Sequence, residues 1–200
     1  MSININRLTK SYGDQKIFED VNLSVQKGEI AEIKGETGKG KTTLKRCIAG
    51  LEDYEEGSID VQGDIAYVFQ DERVMPWLNV RKNILLPLKL RNEKTTEEKL
   101  QMMHDIASSL RVEQHLDKDI REVSGGQLQR LLLVRALVTE PEVLLLDEPF
   151  NSLDTETRQQ IYREVLEICE EKDITVLVAS HNEDLDNFVN RSVALEDISN

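Results

Sequence analysis

The chain opens on a pattern with a period of two. Ile3 and Ile5 are separated by asparagine, and Val21, Leu23 and Val25 by Asn22 and Ser24. Over residues 1–30 this alternation predicts half-buried strands of the antiparallel type, one face apolar and one wet. "GEIAEIKG" reads as a strand that runs into a glycine loop. After the loop, Leu44, Cys47, Ile48 and Leu51 recur at i, i+3, i+4 and i+7, which predicts a helix. Residues 57–70 read as two short strands around a tight turn at Gln62-Gly63.

From residue 71 the period changes. Two prolines interrupt "PWLNVRKNILLPLKL", and "TTEEKLQMMHDIASSL" predicts a helix. Thr95 and Glu98 stand at capping-box spacing, with Leu100, Met103, Ile106, Ala107 and Leu110 on one face. "VLLLD" and "ITVLVAS" are continuous apolar runs of strand length, the pattern of parallel strands buried on both faces. Ile161, Val165, Ile168 and Cys169 mark a helix between them. Strand, helix, strand predicts an α/β core with a parallel sheet. One domain over 1–200 is expected: about 1–70 and 138–200 form the core and its antiparallel region, and about 71–137 a helical subdomain.

Composition narrows the function. Acidic residues outnumber basic ones 38 to 25, a net charge of −13, so nucleic acid is excluded as a general partner. A local nucleotide site remains open, since a few aimed amides and one lysine dominate at short range. Two distant cysteines form no CxxC pair, so neither zinc nor a disulfide framework is expected. The first residues carry no apolar leader, and no apolar run approaches the ~18 residues of a membrane span.

The chemistry concentrates in "GETGKGKTT". The pattern GxxxxGK[ST] fits in one register, on Gly35, Gly40, Lys41 and Thr42. Glycines let successive amides of Gly35, Glu36, Thr37, Gly38, Lys39, Gly40 and the residues to Thr43 curl around phosphate oxygens. A following helix adds its positive end. In this register Lys41 reaches the β- and γ-phosphates and the Thr42 hydroxyl ligates Mg²⁺. Lys39 contributes its amide; its side chain either adds charge near the nucleotide or faces a second subunit. In the strand before the loop, Glu32 and Lys34 share a face. They pair with each other or with groups at a boundary, and a partly solvated face is equally open.

"VLLLDEP" ends a buried strand in two carboxylates. Asp147 is the candidate Mg²⁺ ligand and Glu148 the candidate general base that polarises water. "VSGGQ" sets Ser124, Gly125, Gly126 and Gln127 at the start of a helical run, a second anion-binding end. One nucleotide needs one cradle. The second implies another nucleotide or a site shared between chains.

In order and spacing these motifs resemble the ATP-binding-cassette (ABC) ATPases, the nucleotide-binding subunits of ABC transporters. The resemblance spans nearly the whole chain. It implies a P-loop NTPase (RecA-like) α/β core, an antiparallel β subdomain and an inserted α-helical subdomain. It implies that Tyr12 stacks on adenine, that Gln70 senses Mg²⁺ and couples to the membrane partner, and that His181 reads the γ-phosphate. Ser124–Gln127 match the signature motif, with Val123 in place of leucine, and Ser152, Leu153 and Asp154 match the D-loop. ATP would lie between Gly35–Thr43 of one subunit and Ser124–Gln127 with Asp154 of another, in a homo- or heterodimer. Further implied partners are transmembrane permease subunits and a substrate-binding protein, with the chain on the inner face of the cell membrane.

The stretch "FQDERVMPWLNVRKNI" resembles nitrate/sulfonate/taurine-type importers, where Met75, Trp77 and Leu78 would receive the permease. Import is therefore preferred over export. Zinc modules, long coiled coils and twin cassettes, marks of soluble non-transport relatives, are absent from the sequence. A guanine-recognition NKxD motif is absent too, against a P-loop kinase or GTPase.

Overall fold

The computed structural model describes residues 1–36, 38–69, 74–148, 150, 153–180, 185 and 188–199. The N-terminal alternation folds into β1 (Ile3–Tyr12) and β2 (Gln15–Val25), and β4 (Glu56–Val61) joins the other edge of β1. All pairs are antiparallel, in the order β2-β1-β4. The second sheet is wholly parallel. It contains β3 (Ile30–Lys34), β5 (Ile65–Val68), β6 (Val143–Asp147), β7 (Thr175–Ser180) and β8 (Arg191–Ala194). Their order is β5-β6-β7-β3-β8.

β4 and β5 are the two strands expected around Gln62-Gly63, yet they do not pair with each other. They enter different sheets, and the turn between them links the two layers. The reason lies in the neighbours. Ile65–Val68 pairs with the fully buried β6, whereas Glu56–Val61 is largely exposed and suits an edge.

The parallel sheet is covered on both faces, and residue parity decides which way each side chain points. Val143, Leu145, Leu177, Ala31 and Ile33 pack toward helix α1 (Lys41–Ile48) and the antiparallel sheet. Leu144, Leu146, Val176, Val178 and Ile30 pack toward α5 (Gly125–Leu137) and α6 (Thr155–Glu171). Asp147, two residues beyond Leu145, therefore points to the α1 side. The described residues between β5 and α5 include three α-helices: α2 (Val80–Ile84), α3 (Leu86–Leu90) and α4 (Glu97–Ser109).

Two local expectations are corrected, and one open alternative is decided. The α4 cap is Thr96, whose hydroxyl accepts from the Lys99 amide; the Thr95/Glu98 box does not form, because the helix begins at Glu97. Leu51 is not on the α1 face: the helix ends at Ile48, and Leu51 is 56% exposed. In β3, Glu32 and Lys34 do pair, at 3.7 Å, but the face is not solvated at Glu32. The Glu32 carboxylate is fully buried and accepts from Ser192 Oγ at 2.6 Å, a donor that β8 brings alongside.

Candidate nucleotide site

The glycine loop joins β3 to α1. Gly40 holds φ at 98°, and a Cβ there would come 2.6 Å from Ile17 Cγ2 on β2. The position thus needs both the left-handed conformation and the missing side chain. The N-cap, Gly40, offers no side chain to the first turn of α1, and no acidic residue stands in that turn, so its amides and positive end face the loop. Lys41 is buried. Its Nζ donates to the carbonyls of Gly35 at 2.6 Å and Glu36 at 3.0 Å, which folds the loop around the ammonium.

The end of β6 meets this loop. Thr42 Oγ1 donates to Asp147 Oδ1 at 3.0 Å, and Lys41 Nζ lies 3.6 Å from Glu148 Oε1. Glu148 has φ 46°, a left-handed conformation unfavourable for a non-glycine residue. That turn brings two successive carboxylates onto the same loop, whereas continued strand would send them to opposite faces.

Lys39 behaves differently from Lys41. It is about half exposed, and its Nζ lies 3.3 Å from Glu196 and 4.0 Å from Glu36. An exposed ion pair is worth at most about 1 kcal/mol. Lys39→Ser is therefore expected to change ATP affinity by no more than about fivefold, as read by nucleotide titration. A loss as deep as that of Lys41→Ala would contradict this division of labour.

Tyr12 ends β1, is 46% exposed, and lies under Lys10 Nζ at 4.7 Å from the ring centroid. The same hairpin reaches the glycine loop through Ile17 and Phe18. Ser124–Gln127 stand on another element, the start of α5. There they form a complete capping box: Gln127 Oε1 accepts from the Ser124 amide at 2.9 Å, and Ser124 Oγ from the Gln127 amide at 3.4 Å. Ser124 and Gly125 are exposed, while Val123 packs into the core beside them. Leu153 packs against Gly126, where a Cβ would lie 3.1 Å from Leu153 Cδ2. Asp154 caps α6 through the Thr157 amide, which holds its carboxyl below the usual range. Thr37, Gln70, Ser152 and His181 lie outside the described residues.

The ABC transporter family profile matches residues 18–151. The taurine import ATP-binding protein TauB of Escherichia coli is 36% identical over 188 residues, 90% of this chain and 73% of that protein. The chain belongs to the ABC transporter ATPases. The methionine import ATP-binding protein MetN of Clostridium tetani is 35% identical over 213 residues, 98% of this chain and 66% of the relative. Among solved structures, the dimeric bacterial cassette MJ0796 superposes with a TM-score of 0.85 at 27% identity, covering 96% of this chain and 93% of that one. The ADP form of the cassette MJ1267 gives 0.83 at 26%, covering 96% of this chain and 86% of that one. The protein is thus an ATP-binding subunit with the ATPase activity of its family. Among its described residues no helix is long and apolar enough to cross a membrane.

Two residues of the cassette's site escaped the sequence reading. Lys45 is wholly buried, and its Nζ donates to Asp147 Oδ1 at 2.5 Å and to the Leu146 carbonyl at 2.9 Å. Burial pulls this ammonium down to about 8, against the opposing pull of Asp147. Tyr67, on β5, donates its hydroxyl to Asp147 Oδ2 at 2.9 Å and stacks on Phe69. A signal for Lys45 was present: it follows Lys41 by four residues and so shares its helical face.

Proposed function

We propose that this cassette powers a solute importer through separate permease subunits, closing on ATP as a dimer and reopening after hydrolysis. The observation that carries the reading is the junction of the glycine loop with two carboxylates, Thr42 to Asp147 and Lys41 to Glu148. The amides of Gly35–Thr43 cradle the phosphates, and Lys41 leaves the carbonyls of Gly35 and Glu36 to bind the β- and γ-oxygens. Tyr12 offers its exposed ring to adenine.

Thr42 and Asp147 present hard oxygen donors side by side, a set that fits Mg²⁺; with Gln70 they would hold it. The ion would offset charge on the phosphate oxygens. Glu148 accepts a proton from water at the γ-phosphate, and His181 stabilises the charge that develops there.

Ser124–Gln127 begin a different helix and are partly exposed, which supports a role in trans: with Asp154 they close over ATP held by a second subunit. The inserted helices over about 71–137 carry this edge and the permease contact. Trp77 is 76% exposed between half-buried Met75 and Leu78, an apolar surface suited to a membrane partner. Import is supported by the relatives, whose names are those of import proteins. A substrate-binding protein and a position on the inner face of the cell membrane follow from that type.

Ser124→Arg tests the shared site. The bulky cation is expected to block hydrolysis while nucleotide titration shows unchanged ATP binding to each monomer. Retained turnover would refute the arrangement in trans.

A further inference from the structure

Lys41 and Lys45 lie one turn apart on the same face of α1, and both enter the site. Two like charges at this spacing repel. A fully buried ammonium is costly unless paired and hydrogen-bonded. Lys45 meets that condition on Asp147 Oδ1 and the Leu146 carbonyl. Asp147 is correspondingly crowded: Oδ1 accepts from Thr42 and Lys45, and Oδ2 from Tyr67. Lys41, Lys45, Asp147 and Glu148 form two cations facing two anions, so this cluster is formally neutral without nucleotide.

Resting on the reading that Asp147 and Thr42 hold Mg²⁺, we infer that Lys45 is a positioning residue of the metal site. Its buried ammonium fixes and neutralises Asp147 and lowers the site's attraction for a divalent cation. The cation meets a carboxylate whose charge is already compensated, with a fixed positive charge behind it. Lys45 cannot swing away as an exposed lysine does, because its amine has no water to enter and the main chain at Leu146 also holds it. The site therefore binds nucleotide with a smaller contribution from Mg²⁺ than its carboxylates alone would give.

The test is the ratio of dissociation constants for the non-hydrolysable analogue AMPPNP in EDTA and in Mg²⁺, measured on the full chain. In Lys45→Met this ratio is expected to rise about tenfold, the scale of one unit charge lying close to a divalent cation. Lys45→Gln keeps amide donors for Asp147 and Leu146 and removes only the charge. It is expected to show the same rise, and it carries the test should Lys45→Met fail to fold. A side chain that merely packs would leave the ratio unmoved. Asp147→Asn, run alongside, is expected to lower the ratio. An unchanged ratio in Asp147→Asn would overturn the metal-site reading itself. A lowered ratio there, with both Lys45 variants at or below the wild-type value, would overturn the role of Lys45 alone. A rise in Lys45→Met without one in Lys45→Gln would overturn the charge argument.

Discussion

Lys41→Ala is expected to abolish ATP turnover and to weaken nucleotide binding by an order of magnitude or more. Lys41 is buried where α1 begins, and two carbonyls and Glu148 orient its ammonium. Each hydrogen bond to a charged group is worth about 1.5–3 kcal/mol, and the lysine is placed to make more than one to the phosphates. Its removal also leaves Glu148 without that cation in a partly buried site. Steady-state phosphate release and analogue titration check both parts. Turnover within a fewfold of wild type would mean that the amides alone carry the phosphate.

Glu148→Gln is expected to keep ATP affinity within a fewfold and to cut hydrolysis by roughly 10²–10⁴-fold, the usual worth of a positioned general base. The amide is nearly isosteric, so the turn at φ 46° and the glycine loop are preserved. Single-turnover hydrolysis with pre-bound ATP separates chemistry from binding. Near-normal rates would remove Glu148 from the role of base.

Features set by local spacing are legible in the chain itself. The glycine loop, the acidic end of β6 and the Ser124–Gln127 start of α5 each depend on residues a few positions apart. The buried runs of β6 and β7 announce a sheet covered on both faces, and that is how they pack. What escapes depends on contacts between distant segments. Nothing within β4 or β5 says that they part into different sheets; the choice belongs to β1 and β6 as neighbours. The burial of Glu32 depends on Ser192, 160 residues away. The spacing of Lys45 from Lys41 gives its helical face, but not its burial against Asp147, 102 residues on. At α4 the two adjacent threonines offer equivalent caps, and the start of the helix at Glu97 selects the second.

The division between Lys41 and Lys39 follows from register. Only Lys41 stands after Gly40 at the helix start, and there the ammonium turns inward onto the loop. Lys39, two residues earlier, turns outward to Glu196 beyond β8. Its side chain thus bridges the glycine loop to the C-terminal segment, while its amide donates to the Glu36 carbonyl at 3.3 Å.

Two copies of this chain are expected to close on ATP, each offering Ser124–Gln127 to the other's glycine loop. Light scattering on Glu148→Gln with Mg²⁺ and ATP tests this closure most directly, because slowed hydrolysis holds the closed state. Twice the mass of the chain is expected with Mg²⁺ and ATP, and a single chain's mass without nucleotide or when Ser124→Arg is added to the same variant. A monomer's mass under saturating ATP would contradict it.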